Sequence, residues 1–227
     1  MPEFEPWPKI PRWNRPVIVT EKVDGTNAAI LIQPVPDWSS VFAHREDPLC
    51  LGVFAVYPPQ HETPHVAVYA QSRTRFLSPG TGREAGRDNY GFAAWVAENA
   101  VALVGLLGPG RHFGEWYGKG IARGYGLDHK RFALFNVHRW SEDARGYDGH
   151  PYQLAPGLPV DVVPTLAQHG RPDEAALEDA TSDLQLYGSK LVPGFMRPEG
   201  VILYHTAAKQ LFKVLLESDE IPKSAQG

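Results

Sequence analysis

Glu21-Lys22-Val23-Asp24-Gly25-Thr26-Asn27 is the stretch that decides the fold, because it joins two runs of apolar and β-branched residues. Residues 17–20 and 26–33 each have the pattern of a strand, and Asp24-Gly25 is a turn dipeptide. The pattern predicts a strand, a tight turn and a second strand, arranged as a hairpin. Lys22 is then the last residue of the first strand. A surface hairpin with a solvated lysine would have the same pattern, so the rest of the chain must decide what Lys22 does.

Apolar periodicity predicts the other elements of the fold. Residues 89–107 repeat apolar side chains at helical spacing, and residues 173–187 predict a second helix. Strands in hairpins around two helices indicate an α+β fold, with antiparallel sheets and flanking helices, and not a βαβ array. A proline-rich, irregular arm is expected over residues 1–16 and one domain over 17–227. Further strands are predicted at 41–42, within a long loop, and at 66–71, 132–140, 201–205 and 211–216.

Composition restricts the classes of protein that the chain can belong to. A single cysteine, Cys50, excludes an internal disulfide and a cysteine-based zinc cluster. No apolar run approaches the roughly 18 residues that a membrane helix needs, and the first residues lack the apolar core of a signal peptide. We therefore expect no membrane partner and a cytoplasmic location.

The formal net charge of −4 means that any surface for nucleic acid must be local. Two groups of basic residues are candidates for such a surface, although arginine-rich loops are more often simply solvated. The first group is Arg73, Arg75, Arg83 and Arg87, and the second is Arg111, Lys119, Arg123, Lys130 and Arg131.

Further motifs follow Lys22 along the chain, and their order is more specific than any one of them. They are Ser72-Arg73-Thr74-Arg75, Phe113-Gly114-Glu115-Trp116-Tyr117-Gly118, the run from Phe132 to Val137, Pro198-Glu199-Gly200-Val201-Ile202 and Phe212-Lys213-Val214.

Together with Lys22 these motifs resemble the covalent nucleotidyltransferase superfamily of DNA ligases, RNA ligases and mRNA capping enzymes. The resemblance runs from Glu21 to about Leu216, and Glu21-Lys22 with Gly25-Thr26-Asn27 is most similar to the bacteriophage-type RNA ligase 2 branch. It implies a ligase-type nucleotidyltransferase domain, which is ATP-grasp-like. It also implies an ATP-dependent RNA ligase that seals 5′-phosphate and 3′-hydroxyl ends through a lysyl–AMP intermediate and an adenylylated polynucleotide. The implied cofactors are ATP and Mg²⁺ (or Mn²⁺).

In this resemblance Lys22 is the nucleophile that takes AMP from ATP. A lysine attacks phosphorus only as a neutral amine, whereas the ordinary lysine pKa is about 10.4. A second cation about 4 Å away disfavours the ammonium form by roughly 4 kcal/mol at an effective dielectric of about 20. Lys213 and a bound divalent metal are the expected sources of that field.

The resemblance assigns the remaining site residues by their motifs. Glu115 and Glu199 are expected to coordinate the metal or hold the ribose, since Mg²⁺ prefers hard oxygen ligands. An aromatic ring is expected to stack on the purine, with Phe135 as the first candidate and Phe132 as the second. The other expected contacts are Arg73 with the nucleotide or the RNA end, Glu21 with the adenine amino edge, and Asn27 with the RNA terminus.

Two features depart from the family's pattern. The last motif of the family reads K-x-K, and here Lys213-Val214-Leu215 replaces the second lysine with leucine. Only residues 214–227 follow Lys213, so we expect neither an OB-fold nor a helical C-terminal domain. Such a ligase is expected to act slowly, to need an accessory protein that replaces the domain, or to prefer pre-adenylylated ends.

Other functions share parts of this pattern. The expected partners are RNA strand ends, with DNA or RNA/DNA hybrid ends left open. A DNA ligase or a capping-type guanylyltransferase would use the same lysine chemistry, and a non-catalytic nucleic-acid binder could keep the fold alone. A metal hydrolase is disfavoured, because Pro64 lies inside His61-x-x-x-His65 and breaks the helix that a zinc pair with this spacing needs.

Overall fold

The computed structural model describes residues 3–56, 65–80 and 88–217. Its elements are, in chain order, β1 (Val17–Lys22), β2 (Thr26–Val35), α1 (Trp38–Glu46), β3 (Gly52–Ala55), β4 (His65–Ser72), β5 (Phe76–Leu77), α2 (Phe92–Glu98), α3 (Ala100–Leu107), β6 (Gly110–Gly118), β7 (Lys130–Leu134), α4 (Val137–Trp140), β8 (Gln153–Ala155), β9 (Leu158–Val162), β10 (Thr165–His169), α5 (Glu174–Tyr187), β11 (Gly200–His205) and β12 (Gln210–Leu215). The fold is α+β with predominantly antiparallel sheets, as the sequence predicts.

The chain divides into two compact units. The first unit comprises Met1–Lys22 and Pro164–Gly227, and the second comprises Val23–Val163. The chain therefore passes from the first unit to the second directly after Lys22, and returns at Pro164.

The first unit is built on an antiparallel sheet with the strand order β10-β1-β11-β12. Side chains alternate between the two faces of a strand, so every second residue packs against α5. Val19 and Val201 lie in this core with Ala180 and Leu184 of the helix. The alternate residues, Lys22 among them, belong to the opposite face.

The second unit is built on an eight-stranded sheet. Its strands follow the order β3-β4-β2-β6-β7-β9-β8, and β5 pairs with β4. The pairs are antiparallel except for β7 with β9, which is parallel. One face packs against α2 and α3 and forms the largest core, which includes Ile30, Phe92 and Trp116. At the β3–β4 edge, Val41 of α1 packs with Val35 and Tyr69 against the other face.

The hairpin predicted around Asp24-Gly25 is wrong, although both of its strands exist. β1 pairs with β10 and β11 in one sheet, whereas β2 pairs with β4 and β6 in the other. The turn dipeptide therefore marks the crossing from one sheet to another. Gly25 fits this crossing because a Cβ there would lie 2.4 Å from the carbonyl oxygen of Trp116.

The strand predicted at 41–42 is also wrong, since both residues lie in α1. Asp37 caps this helix, and its side chain accepts a hydrogen bond from the backbone N–H of Ser40 at 2.8 Å. An aspartate three residues before the donating amide is a common N-terminal cap, and it outweighs the strand preference of Val41-Phe42.

Two longer predictions are confirmed in part. The helix over 89–107 is divided at Asn99, whose side-chain amide donates to the carbonyl of Trp95 at 2.8 Å and competes with the regular helix bond. The strand over 132–140 ends at Leu134. Asn136 then caps the short helix α4 by accepting from the N–H of Arg139.

The helix over 173–187 and the strands at 66–71, 201–205 and 211–216 are confirmed within a residue or two at each end. Arg83, Arg87 and His61 lie outside the described residues. None of the helices in the described part of the chain is long and apolar enough to cross a membrane.

Arg131, predicted as part of a basic surface, is instead buried in the second unit. Its guanidinium contacts both carboxylate oxygens of Asp161, at 2.6 and 2.8 Å, and also donates to Gln153. The hydroxyl of Tyr117 donates to the same carboxylate at 2.9 Å. Burial and the Asp161 charge raise the pKa of Tyr117 well above its ordinary value. These groups are too deeply buried to meet a polynucleotide, so the second basic group does not form one surface.

We predict that Asp161→Ala lowers the free energy of unfolding by about 3–5 kcal/mol, because the Arg131 charge would stay buried without a partner. Urea titration measures this change. Asp128→Ala is the control, since Asp128 pairs with His129 through a side chain that is 93% exposed, and it should leave the transition unchanged. Equal effects of the two substitutions would contradict a structural role for the buried pair.

Candidate active site

Lys22 and Glu199 form an ion pair in the first unit. Lys22 is the last residue of β1 and lies opposite Gly200, the first residue of β11. This register brings the preceding residue, Glu199, to the lysine, and Glu199 Oε2 accepts from Lys22 Nζ. Their side chains are 21% and 12% exposed. The structure thus brings together two of the predicted site residues, and the group in contact with the lysine is a carboxylate.

Gly200 allows β12 to approach β11 at this position. A Cβ on Gly200 would lie 2.1 Å from the carbonyl oxygen of Val214, and its φ of +154° suits glycine. The glycine of the Pro198-Glu199-Gly200 motif is therefore needed for strand packing. The glutamate beside it is the partner of Lys22.

Lys213 lies on the same sheet face as Lys22. It is paired with Ile202, which is paired with Thr20, two residues before Lys22. Two residues along a strand span roughly 7 Å, and two neighbouring strands span roughly 10 Å, so the lysines are diagonal neighbours. The residue in direct register with Lys22, through Gly200, is Leu215.

Glu21 points away from Lys22, because successive residues of a strand face opposite sides. It is buried, with 1% of its surface exposed, and it accepts hydrogen bonds from the segment that follows α5. The Ser189 hydroxyl donates to Oε1 at 2.6 Å, and the amides of Lys190 and Leu191 donate to Oε2 at 2.8 and 3.0 Å. Glu21 therefore ties this segment to the strand that ends in Lys22. Its predicted contact with adenine stays a prediction.

Burial raises the pKa of Glu21 above its ordinary value of 4.5, because desolvation disfavours the carboxylate. The Ser189 hydroxyl, the two amides and the Lys190 charge act in the opposite direction and offset only part of this effect.

Asn27 and Glu115 face each other in the second unit. They are register partners across β2 and β6, so their Cα atoms are roughly 5 Å apart and their side chains share a face. Glu115 is in turn paired with Ala133 of β7, and Phe135 follows two residues later with the same orientation. Phe135 is 39% exposed, whereas Phe132, the second candidate for stacking, is fully buried against Phe92. Arg73 is exposed, directly after β4.

Arg123 and Tyr125 hold Asp24, and the sequence interpretation missed this role. The Asp24 amide donates to the Tyr125 hydroxyl at 2.8 Å, and the Asp24 carboxylate accepts from Arg123 Nε at 3.1 Å. Tyr125 is buried edge-on against Tyr117, and its φ is +54°. The density of glycines between Gly118 and Gly126 was the available signal of a tightly folded loop.

The described residues contain no group of three or more His, Cys, Asp or Glu side chains that could hold a metal ion by themselves. Glu115 and Glu199 each offer hard oxygen donors. Mg²⁺ commonly takes only one or two protein carboxylates and completes its shell with phosphate and water. Each carboxylate, taken by itself, is therefore a ligand of the kind that a metal entering with a nucleotide takes.

Comparison with known proteins gives a family match over most of the chain. A family model described as RNA ligase matches residues 15–215. No curated protein matches significantly.

Similar solved structures include three of Naegleria gruberi RNA ligase mutants. One with ATP and Mn is 13% identical, with a TM-score of 0.47, and the match covers 91% of this chain and 51% of that chain. One with AMP and Mn is 15% identical (TM-score 0.46; 89% and 50% covered), and one without nucleotide is 14% identical (TM-score 0.44; 89% and 50% covered). The chain thus spans about half the length of these proteins.

The burial of Glu21 predicts how stability depends on pH. A raised folded-state pKa means that the folded state binds the proton more tightly. The contribution of Glu21 to the unfolding free energy is then fully present below about pH 4.5. It is lost as the pH rises through the raised folded-state pKa. We expect the unfolding free energy of the wild type, relative to Glu21→Gln, to fall over that window in denaturant titrations. Ser189→Ala removes a hydroxyl that favours the anion and should deepen the fall, whereas parallel profiles for wild type and Glu21→Gln would contradict this account.

Proposed function

The chain belongs to the RNA ligase family, and from this premise we propose that it is an ATP-dependent RNA ligase whose nucleophile is Lys22. The observation that carries the proposal is the position of Lys22, at the end of β1, partly exposed and held by Glu199. Residues 17–227 act in this proposal as one adenylyltransferase.

The first step is the attack of the Lys22 amine on the α-phosphorus of ATP. A nitrogen–phosphorus bond forms, the bond to the bridging oxygen breaks, and pyrophosphate leaves with the electron pair. AMP then passes from the lysine to the 5′-phosphate of an RNA strand. A 3′-hydroxyl finally displaces AMP and seals the strand. Each step is a displacement at phosphorus, for which positioning and charge neutralisation supply most of the catalysis.

Glu199 has two tasks in this sequence. As the ion-pair partner it fixes the direction of the Lys22 side chain before nucleotide binds. An ammonium cannot attack phosphorus, so the pair must open and a proton must leave Nζ. The proton passes to water, and the Glu199 carboxylate, released from the pair, would take up its second task of holding the metal.

The remaining residues fall into binding roles. Lys213 faces the same side as Lys22 and suits the nucleotide phosphates, and Arg73 is exposed and suits a phosphate of the nucleotide or the RNA end. Phe135 offers a half-exposed ring for stacking on adenine, with Asn27 as the contact for the RNA terminus and Glu21 for the adenine edge. A divalent metal, Mg²⁺ or Mn²⁺, when bound supplies charge neutralisation on the phosphates, and Glu115 and Glu199 are the carboxylates that would hold it.

We predict that the wild type incubated with ATP labelled at the α-phosphate and with Mg²⁺ acquires the label on Lys22. The labelling rate of Lys22→Ala should be at least about a thousandfold lower than that of the wild type, since the substitution removes the nucleophile. Lys119→Ala, which removes an exposed lysine between β6 and β7, is the matched control and should label like the wild type. Gel autoradiography and peptide mapping locate the label.

The alternatives give different outcomes in the same assay. Labelling from GTP and not from ATP would indicate a guanylyltransferase, and no labelling of wild type would indicate a binder without activity. Sealing of 5′-phosphate DNA ends in preference to RNA ends would indicate a DNA ligase. Equal labelling of wild type and Lys22→Ala would refute the assignment of the nucleophile.

A further inference from the structure

The N-terminal arm, residues 3–16, exposes large apolar side chains at a regular spacing. Phe4, Trp7, Ile10 and Trp13 recur every three residues, and they are 86%, 87%, 82% and 67% exposed. Soluble proteins rarely leave such a set uncovered unless it binds something. The segment that matches the family begins at residue 15, so nearly all of the arm lies before it.

The prolines of the arm favour an extended backbone. Pro6, Pro8, Pro11 and Pro16 fix their own φ and bias the residue before them toward extended conformations. The structure assigns neither helix nor strand between residues 3 and 16. A polyproline-type chain repeats every three residues with a rise of about 3.1 Å, so the four side chains would line one side over roughly 28 Å.

The C-terminal end of the arm is fixed to the first unit. The Trp13 ring stacks on His205 with a centroid distance of 5.8 Å. His205 Nδ1 accepts from the Ala208 amide, so Nε2 carries the proton and donates to the Trp13 carbonyl at 2.8 Å. The Pro16 carbonyl accepts from the hydroxyl of Thr206 at 2.7 Å. The arm is therefore anchored at one end, with Phe4, Trp7 and Ile10 beyond the anchor.

The arm is basic from Pro6 onward, in a chain whose formal charge is −4. Lys9, Arg12 and Arg15 lie in this part of the arm, whereas its acidic residues, Glu3 and Glu5, flank Phe4 at the far end. An apolar groove of a protein partner would need only the apolar side chains. The exposed indole of Trp7, followed by the cations Lys9 and Arg12, matches a strand in which bases alternate with phosphates.

We propose that the arm binds single-stranded RNA, with Trp7 stacking on a base and Lys9 and Arg12 contacting phosphates. The choice of RNA as the nucleic acid rests on the proposed function. The preference for a single strand rests on the arm itself, because an exposed indole can stack only on bases that are not already stacked in a duplex.

The test is the binding of a fluorescent single-stranded RNA oligonucleotide to the full chain, followed by anisotropy. Trp7→Ala should weaken binding about tenfold, the loss expected for one stacked base. Trp38→Ala is the matched control, because Trp38 is 65% exposed on α1, away from the arm in sequence, and this variant should bind like the wild type. Lys9→Ala combined with Arg12→Ala should reduce the slope of log affinity against log salt by about 1.4, or about 0.7 for each phosphate contact.

Three outcomes would overturn the proposal. The first is equal RNA affinity for Trp7→Ala and Trp38→Ala, and the second is competition by duplex RNA that equals competition by single-stranded RNA. The third is a lower molecular mass of Trp7→Ala in solution, which would show that the arm binds a second copy of the chain. Labelling by ATP in the absence of RNA separates this proposal from the proposed function. Arm variants should label like the wild type, and Lys22→Ala should keep the Trp7-dependent RNA affinity even if the ligase assignment fails.

Discussion

The ion pair of Lys22 and Glu199 joins positions that are 177 residues apart in the sequence, and the candidate chemistry depends on it. The pair follows from the register of β1 with β11, which sets Lys22 opposite Gly200. At the same position β12 approaches β11 closely, and Gly200 permits this approach because it has no side chain. A backbone constraint on Gly200 thus fixes the positions of Lys22, on the neighbouring strand, and of Glu199, directly before β11.

The alternation of side chains along β1 separates packing from chemistry. Glu21 faces the α5 side and takes hydrogen bonds from residues 189–191, whereas Lys22 belongs to the opposite, more open face. A slip of one residue in the strand would exchange the two and bury the lysine amine. The buried carboxylate costs desolvation, which its three donors offset in part. Because the same register holds both residues, the anchoring of Glu21 also keeps Lys22 on the open face.

The sequence predicts the parts of this arrangement that are local or that follow a motif order. The strands at 66–71 and 201–205 and the helix at 173–187 follow from periodicity, and Lys22 and Glu199 follow from the motif series. The pairing of the strands cannot be predicted in this way, because a turn dipeptide such as Asp24-Gly25 indicates where the chain turns and not which sheet it enters. Arg123 and Tyr125 could not be assigned for the same reason, since their partner Asp24 lies about 100 residues earlier. The α1 helix was within reach, since Asp37 is a favoured N-cap residue, but the strand preference of Val41-Phe42 concealed it.

Leu215 shows how the departure from the family's motif fits the ion pair. It occupies the position of the second motif lysine, and the structure places it in one row with Gly200 and Lys22. A lysine there would bring a second ammonium into the row, roughly 10 Å across the sheet from the backbone of Lys22, where it would compete for the Glu199 carboxylate. A leucine cannot compete, so Glu199 is left to Lys22. Lys213, the remaining lysine of the motif, lies two residues earlier on the strand, opposite Ile202. The row through Lys22, Gly200 and Leu215 therefore contains one cation, Lys22, and Glu199 pairs with it.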